Sequence, residues 1–288
     1  MSGKSTIEWT DASWNPVTGC TKVDRGCKHC YAERQTEGWP MFKGNGSFEK
    51  VELHPELLDW PLHRRKPLKI FVNSMSDLFH EKVTPGFQSC VWDTMQKAHW
   101  HTFQIVTKRA ERMRQILECI NPYPNVWLGI SAHDDKTLTE RWASLRQTPA
   151  AVRWLSLEPL LGEVPSLAHI LLDTPRPDWV VAGGESGPHA EPSHPDHFRM
   201  VRDFCQAAGV PFFFKQWGEW ADYFEASPWL VPGHKLPRLF VYRDGRMAND
   251  PPENWPDDKA WQAMYRITKK RAGRLLDGRE WNEMPCPR

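Results

Sequence analysis

Three cysteines fall within eleven residues near the start of the chain. The segment runs Asn15-Pro16-Val17-Thr18-Gly19-Cys20 and, after six further residues, Cys27-Lys28-His29-Cys30-Tyr31-Ala32. Thiols grouped this closely point to thiolate chemistry or to a metal. A structural zinc site needs four ligands, usually as two separated pairs, and here a second Cys-x-x-Cys is missing. His29, directly beside Cys30, is poorly placed to complete such a shell. A dithiol redox pair would use Cys27 and Cys30 and leave Cys20 without a role. An iron–sulfur cluster held by three thiolates leaves one iron open to bind a substrate or cofactor.

The run N-P-x-x-G-C followed by G-C-x-x-C-Y-A-x-R resembles the cluster loop of the radical S-adenosylmethionine superfamily, and most of all its spore photoproduct lyase-like branch. In that branch an aromatic residue adjoins the last cysteine and Ala-x-Arg opens the next helix, as Tyr31, Ala32 and Arg34 would here. The spacing departs from the common superfamily motif, which has fewer residues between its first two cysteines. From Ile7 to Pro285 the chain also resembles a phage and prophage family described by a three-cysteine motif. The resemblance implies that Cys20, Cys27 and Cys30 ligate a [4Fe-4S] cluster whose open iron chelates S-adenosyl-L-methionine. An external electron donor would reduce the cluster, and reductive cleavage of the cofactor would start radical chemistry on a substrate. The protein would hold the cofactor, aim the reacting carbon and exclude water and oxygen.

Further positions follow at the ends of strand-like runs. Ser74, Ser76 and Asp77 come after Asn73, where short polar side chains can accept hydrogen bonds from an ammonium group; a helix N-cap is the competing reading. Lys108, in Thr107-Lys108-Arg109, resembles the lysine that pairs with the cofactor carboxylate in the same branch; a solvated helix-start residue is the competing reading. The same resemblance implies that Ser131, one strand later, meets the cofactor ribose. Glu158 and Glu185, the latter in Gly183-Gly184-Glu185, are assigned to cofactor or substrate binding, and the glycines would let a ligand approach the backbone. Lys215 and Gln216 reach toward the same cavity, with Lys215 otherwise ion-paired to Glu158 or Glu185. Cys119 and Cys205 are candidate hydrogen donors that no motif supports. No catalytic residue is assigned.

These positions need a scaffold that brings strand ends together. Apolar runs recur at Lys69–Asn73, Phe103–Thr107, Val126–Ser131, Arg153–Leu157, Asp178–Ala182 and Pro211–Lys215, with one more near Trp14–Thr18. Helical patterns separate them at Gly86–Ala98, Arg109–Ile120, Thr137–Arg146 and His197–Ala208. The alternation predicts an α/β fold with a buried parallel sheet, and the number of β units fits a partial (β/α) barrel of the radical S-adenosylmethionine type. Residues 1–217 would form that barrel. Residues 218–288 would form a C-terminal loop-hairpin-helix cap, with a hairpin turning at Asp244-Gly245 and a last helix from Asp257 through Lys269–Lys270.

Composition limits the partners. Lys plus Arg total 37 against 36 Asp plus Glu, a net charge of +1, which argues against gripping nucleic acid through bulk charge. No apolar run is long enough to span a membrane, and seven cysteines do not read as a disulfide framework. The expectation is a cytoplasmic enzyme of the radical S-adenosylmethionine class with no membrane association. Its expected substrate is a nucleobase in DNA or a nucleotide, modified or repaired. The basic runs at His63–Lys66, Lys108–Arg114 and Lys269–Arg271 matter only where they meet some of the 16 Trp. A small metabolite or protein substrate, or a non-catalytic cluster-binding module, are the alternatives.

Overall fold

Runs of β-branched and aromatic residues, buried on both faces, form the parallel strands, and polar helical segments with defined caps connect them. The structure is a computed structural model that describes residues 2–36, 47–118, 120–230, 236–251 and 260–286. The strands begin with β1 (Gly3–Lys4), β2 (Ala12–Trp14), β3 (Val17–Thr18), β4 (Glu52–Leu53) and β5 (Lys69–Val72). They continue with β6 (Thr102–Thr107), β7 (Val126–Ala132), β8 (Val152–Leu157), β9 (Trp179–Gly183) and β10 (Phe212–Gln216). Eight of them make one sheet in the order β1-β2-β5-β6-β7-β8-β9-β10. The pairs β2–β5, β5–β6, β6–β7 and β9–β10 are parallel, and β1 joins antiparallel at one edge. The fold is therefore α/β with a mostly parallel sheet, and its strand order ends at β1 and β10.

By contacts the chain divides into two units, residues 1–131 with 140–155, and residues 132–139 with 156–288. In the first unit, α1 (Tyr31–Thr36), α2 (Pro85–Lys97) and α3 (Ala110–Leu117) connect the strands. Pro85 opens α2 where its missing N–H costs nothing, and Thr84 Oγ1 accepts the Phe87 N–H at 3.3 Å. Trp14, Ile70, Phe103, Met95 and Trp154 are buried in the core. The Trp154 indole lies flat against β7 where Gly129 has no side chain; a Cβ there would meet the ring at 2.5 Å. The apolar segment near Trp14–Thr18 divides in two: β2 enters the main sheet, and β3 turns away to pair with β4.

The second unit holds β9, β10 and α6 (Pro195–Ala208), which follows α4 (Asp135–Gln147, shared with the first unit) and α5 (Leu167–Ile170). Gly209, with φ +61, closes α6 in the left-handed conformation glycine takes freely. A second, antiparallel sheet follows, in the order β11 (Trp220–Ala221), β14 (Trp261–Arg266), β12 (Arg238–Tyr242), β13 (Met247–Ala248). The hairpin at Asp244-Gly245 is present as β12–β13, with Gly245 at φ +83. The expected last helix is corrected. Residues 257–259 lie outside the described residues, and Trp261–Arg266 is a strand that pairs with both β12 and β11. Met264 pairs with Leu239 in a small core with Ala190, Trp220 and Val241, and cross-strand burial outweighs helical propensity there. Among the described residues of that stretch, Lys269–Ala272 alone is helical, as α8, after α7 (Tyr223–Ala226). β15 (Leu275–Leu276) and β16 (Arg279–Glu280) form a terminal two-stranded ladder. Among the described residues no helix is long and apolar enough to cross a membrane.

Candidate functional site

The cysteine loop of the first unit is fastened to the segment that follows β5. Gly19, at φ +84, donates its N–H to Met75 O at 3.1 Å, and Cys20 donates its N–H to Phe48 O at 2.8 Å. A Cβ on Gly19 would meet Lys50 O at 2.1 Å, so only glycine fits between the loop and residues 48–50. Cys27 ends a single 3₁₀ turn whose N–H returns to Asp24 O, and Cys30 O accepts the Arg34 N–H of α1. Tyr31 donates its hydroxyl to Ser74 O. All three cysteines are half-buried, and none is in a disulfide.

The serines after β5 are oriented by acceptors on the loop preceding Cys20. Ser74 Oγ donates to Asn15 Oδ1 at 3.1 Å, and the same oxygen accepts the Met75 N–H. Ser76 Oγ donates to Val17 O at 2.7 Å. Both hydroxyl protons are thereby committed, which leaves the hydroxyl oxygens as acceptors. Asp77 is buried and occupied by the protein itself. It accepts from Thr107 Oγ1 at 2.8 Å, from the Phe79 N–H at 2.9 Å and from Arg109 Nη1 at 3.3 Å.

Arg109, which the sequence presents only as the residue after Lys108, ties this network to the cysteines. Its Nη1 lies 3.6 Å from Cys20 Sγ, its Nη2 donates to Thr21 and its Nε donates to Glu81. Burial pushes the Cys20 thiol up to about 11 and nearby Asp77 adds to the shift, while Arg109 opposes both. Lys108 is half-buried, and among the described residues its ammonium meets no carboxylate. Ser131, at the end of β7, is buried, and its carbonyl accepts from Arg141 Nη1. Arg141 also pairs with Asp24 in the cysteine loop. Neither arginine has a sequence signal, since each stands among charged residues of a helix start or face. Asn15 was legible only as part of the cysteine motif.

Glu158 and Glu185 belong to the second unit. Lys215 Nζ donates to Glu158 Oε2 at 3.0 Å, the ion pair considered as one reading of Lys215. Gln216 Nε2 donates to Ser186 Oγ at 2.8 Å. Glu185 Oε2 accepts the Glu191 N–H at 2.7 Å. The glycine pair is closely packed by the protein on the side a Cβ would occupy. A Cβ on Gly184 would meet Trp217 O at 1.9 Å, and one on Gly183 would meet Glu158 Oε1 at 2.8 Å. Cys205 is fully buried in α6, with its thiol pushed up by burial; Cys119 lies outside the described residues.

Among the described residues no three His, Cys, Asp or Glu side chains gather around a point that a single metal ion would fill. The donor set suits a cluster better than an ion. It consists of three soft thiols with no fourth ligand grouped with them among the described residues, and a cluster spreads its thiolates over separate irons. The buried guanidinium at Cys20 supplies a positive partner for an anionic thiolate-bound group.

A family model described as "Protein of unknown function (DUF5131)" matches residues 4–285. No curated protein matches the chain. Among solved structures the chain is similar, at 10% identity, to spore photoproduct lyase. A mutant with bound AdoMet and dinucleoside spore photoproduct gives a TM-score of 0.43, over 91% of this chain and 71% of that one. The lyase complexed with dinucleoside spore photoproduct gives 0.42, over 92% and 71%. Likenesses this distant define neither the activity nor the site.

Proposed function

We propose that this chain, which belongs to the family described as Protein of unknown function (DUF5131), is a radical S-adenosylmethionine enzyme that modifies or repairs a nucleobase in DNA or a nucleotide. The carrying observation is the loop with three free thiols, pinned through Gly19 and Cys20 to the strand-end segment that bears Ser74, Ser76 and Asp77. The resemblance of that loop to the superfamily's cluster motif, and of the whole chain to the phage and prophage three-cysteine family, supports the same reading.

In it, Cys20, Cys27 and Cys30 hold a [4Fe-4S] cluster, which when bound supplies the electron that cleaves S-adenosylmethionine. Ser74 and Ser76, with their protons already donated, accept from the cofactor's amino group. Asp77 fixes the backbone that presents them and adds negative charge nearby. Lys108 pairs with the cofactor carboxylate and Ser131 meets its ribose. Glu158 and Glu185 bind cofactor or substrate. The scaffold is a partial (β/α) barrel, whose strand ends would surround a water-poor cavity.

Anaerobic incubation of the iron-loaded protein with reductant, S-adenosylmethionine and separate pools of DNA, nucleotides, peptides and small metabolites tests the reading. DNA or nucleotides should stimulate 5′-deoxyadenosine formation, with a mass change in that pool. Stimulation by peptides or metabolites alone contradicts the nucleobase assignment. Stoichiometric zinc with no iron uptake contradicts the enzyme class.

A further inference from the structure

Among the described residues of the second unit eight aromatic side chains are buried, but α7 carries two that are well exposed. Tyr223 is 60% and Phe224 73% exposed, although Ala226 on the same short helix is fully buried. The helix is held firmly: the Asp222 side chain accepts the Glu225 N–H at 3.1 Å. Trp229, at the end of the following 3₁₀ turn, is 38% exposed and lies under the Arg271 guanidinium, 4.5 Å from ring centroid to Cζ. Arg271 belongs to α8, which packs beside α7.

The cations of α8 are placed there by a costly backbone conformation. Thr268, a β-branched residue, sits at φ +79 immediately before the helix. Two hydrogen bonds hold it, since Ile267 N–H and Thr268 N–H both donate to Glu219 O, at 3.0 and 3.2 Å. That arrangement turns Lys269, Lys270 and Arg271 outward as three consecutive exposed cations. None of the three meets a carboxylate among the described residues, whereas Arg199, Arg202, Arg243, Arg246 and Arg274 of this unit do. Strain retained without an internal ion pair marks a segment that works on something outside the chain.

We propose that Tyr223, Phe224, Trp229 and the Lys269–Arg271 cations form a docking surface for single-stranded nucleic acid. Charge complementarity selects a polyanion, and the flat exposed rings select one that carries stackable bases. The preference for nucleic acid over an acidic polypeptide also rests on the nucleobase reading given above. Phosphates meet the α8 cations while bases stack on Phe224 and Tyr223. A chain with a net charge of +1 thus binds its substrate through a local patch, without a general basic field.

The test is fluorescence anisotropy of a labelled single-stranded oligonucleotide with the full iron-loaded chain, titrated at several salt concentrations. Wild type should bind with a log–log salt slope of about −2, as three phosphate contacts give for a single strand. Phe224→Ala should weaken binding by about tenfold through lost stacking. Lys269→Gln with Lys270→Gln should reduce the slope to about −0.7. Both changes are on exposed side chains, and an unchanged melting temperature confirms that the fold is retained. Absence of oligonucleotide binding, affinity unchanged in both variants, or equal competition by polyglutamate overturns the surface. If the protein nevertheless takes up iron and cleaves S-adenosylmethionine, the enzyme reading stands without it. Binding that depends on both sets of side chains in a protein that takes up no iron supports the surface and overturns the cluster instead.

Discussion

Arg109 is the side chain on which Cys20, Asp77 and Glu81 converge in the first unit. Its side chain and that of Asp77 are each 7% exposed, so removing one leaves the other charge buried without its partner. Arg109→Met should therefore cost about 3–5 kcal/mol in chemical denaturation. Glu81→Gln, at a carboxylate that is 61% exposed, should cost less than about 1 kcal/mol. Lys108 is different, for its ammonium meets no carboxylate among the described residues. Lys108→Ala should leave iron content and melting temperature unchanged while weakening S-adenosylmethionine binding by about tenfold to a hundredfold, read by equilibrium titration. Unchanged cofactor affinity would remove Lys108 from the site. The cysteines were legible because three thiols rarely cluster by accident. Arg109 and Arg141 were not, because an arginine beside a lysine or on a polar helix face reads as solvated until the fold buries it.

At the level of elements, the parallel strands were legible because each is a short apolar run bounded by turns and helices, and burial on both faces leaves few other solutions. The C-terminal strand was not. Trp261–Arg266 lacks a continuous apolar run, and its strand state comes from pairing with β12 and β11, which are distant in sequence. Close packing between elements sets two further expectations. Gly129→Ala would press a methyl group into the Trp154 indole and should cost about 1–3 kcal/mol by denaturant titration. At the start of α6, burial pushes the His197 imidazole down to about 4. Burial does the same to His194, and His197 beside it adds to that shift. Asp196 opposes both shifts, and Arg243 favours them by its charge. The unfolded chain binds protons at these histidines from near pH 6.5 downward, whereas the folded one does so only near 4. Their contribution to stability is thus complete above about pH 6.5 and is lost as pH falls toward 4. His197→Gln should flatten that part of the stability–pH curve, and an unchanged slope would contradict the assignment.

For the molecule as a whole, charge and motif pointed in different directions. A net charge of +1 argues against a bulk electrostatic grip, and the proposals rest instead on local groups: a cysteine loop in the first unit and an aromatic–cationic patch in the second. Sequence spacing located the loop but not its attachments, because Gly19 to Met75 and Arg109 to Cys20 are contacts between distant residues that no local pattern encodes. The central claim is that Cys20, Cys27 and Cys30 hold a [4Fe-4S] cluster. It is tested most directly by iron and acid-labile sulfide analysis after anaerobic reconstitution of the full chain, alongside a variant in which the three cysteines are alanine. The expected result is about four irons and four sulfides per wild-type chain and essentially none in the variant. Equal iron in both proteins, or none in either, would contradict it.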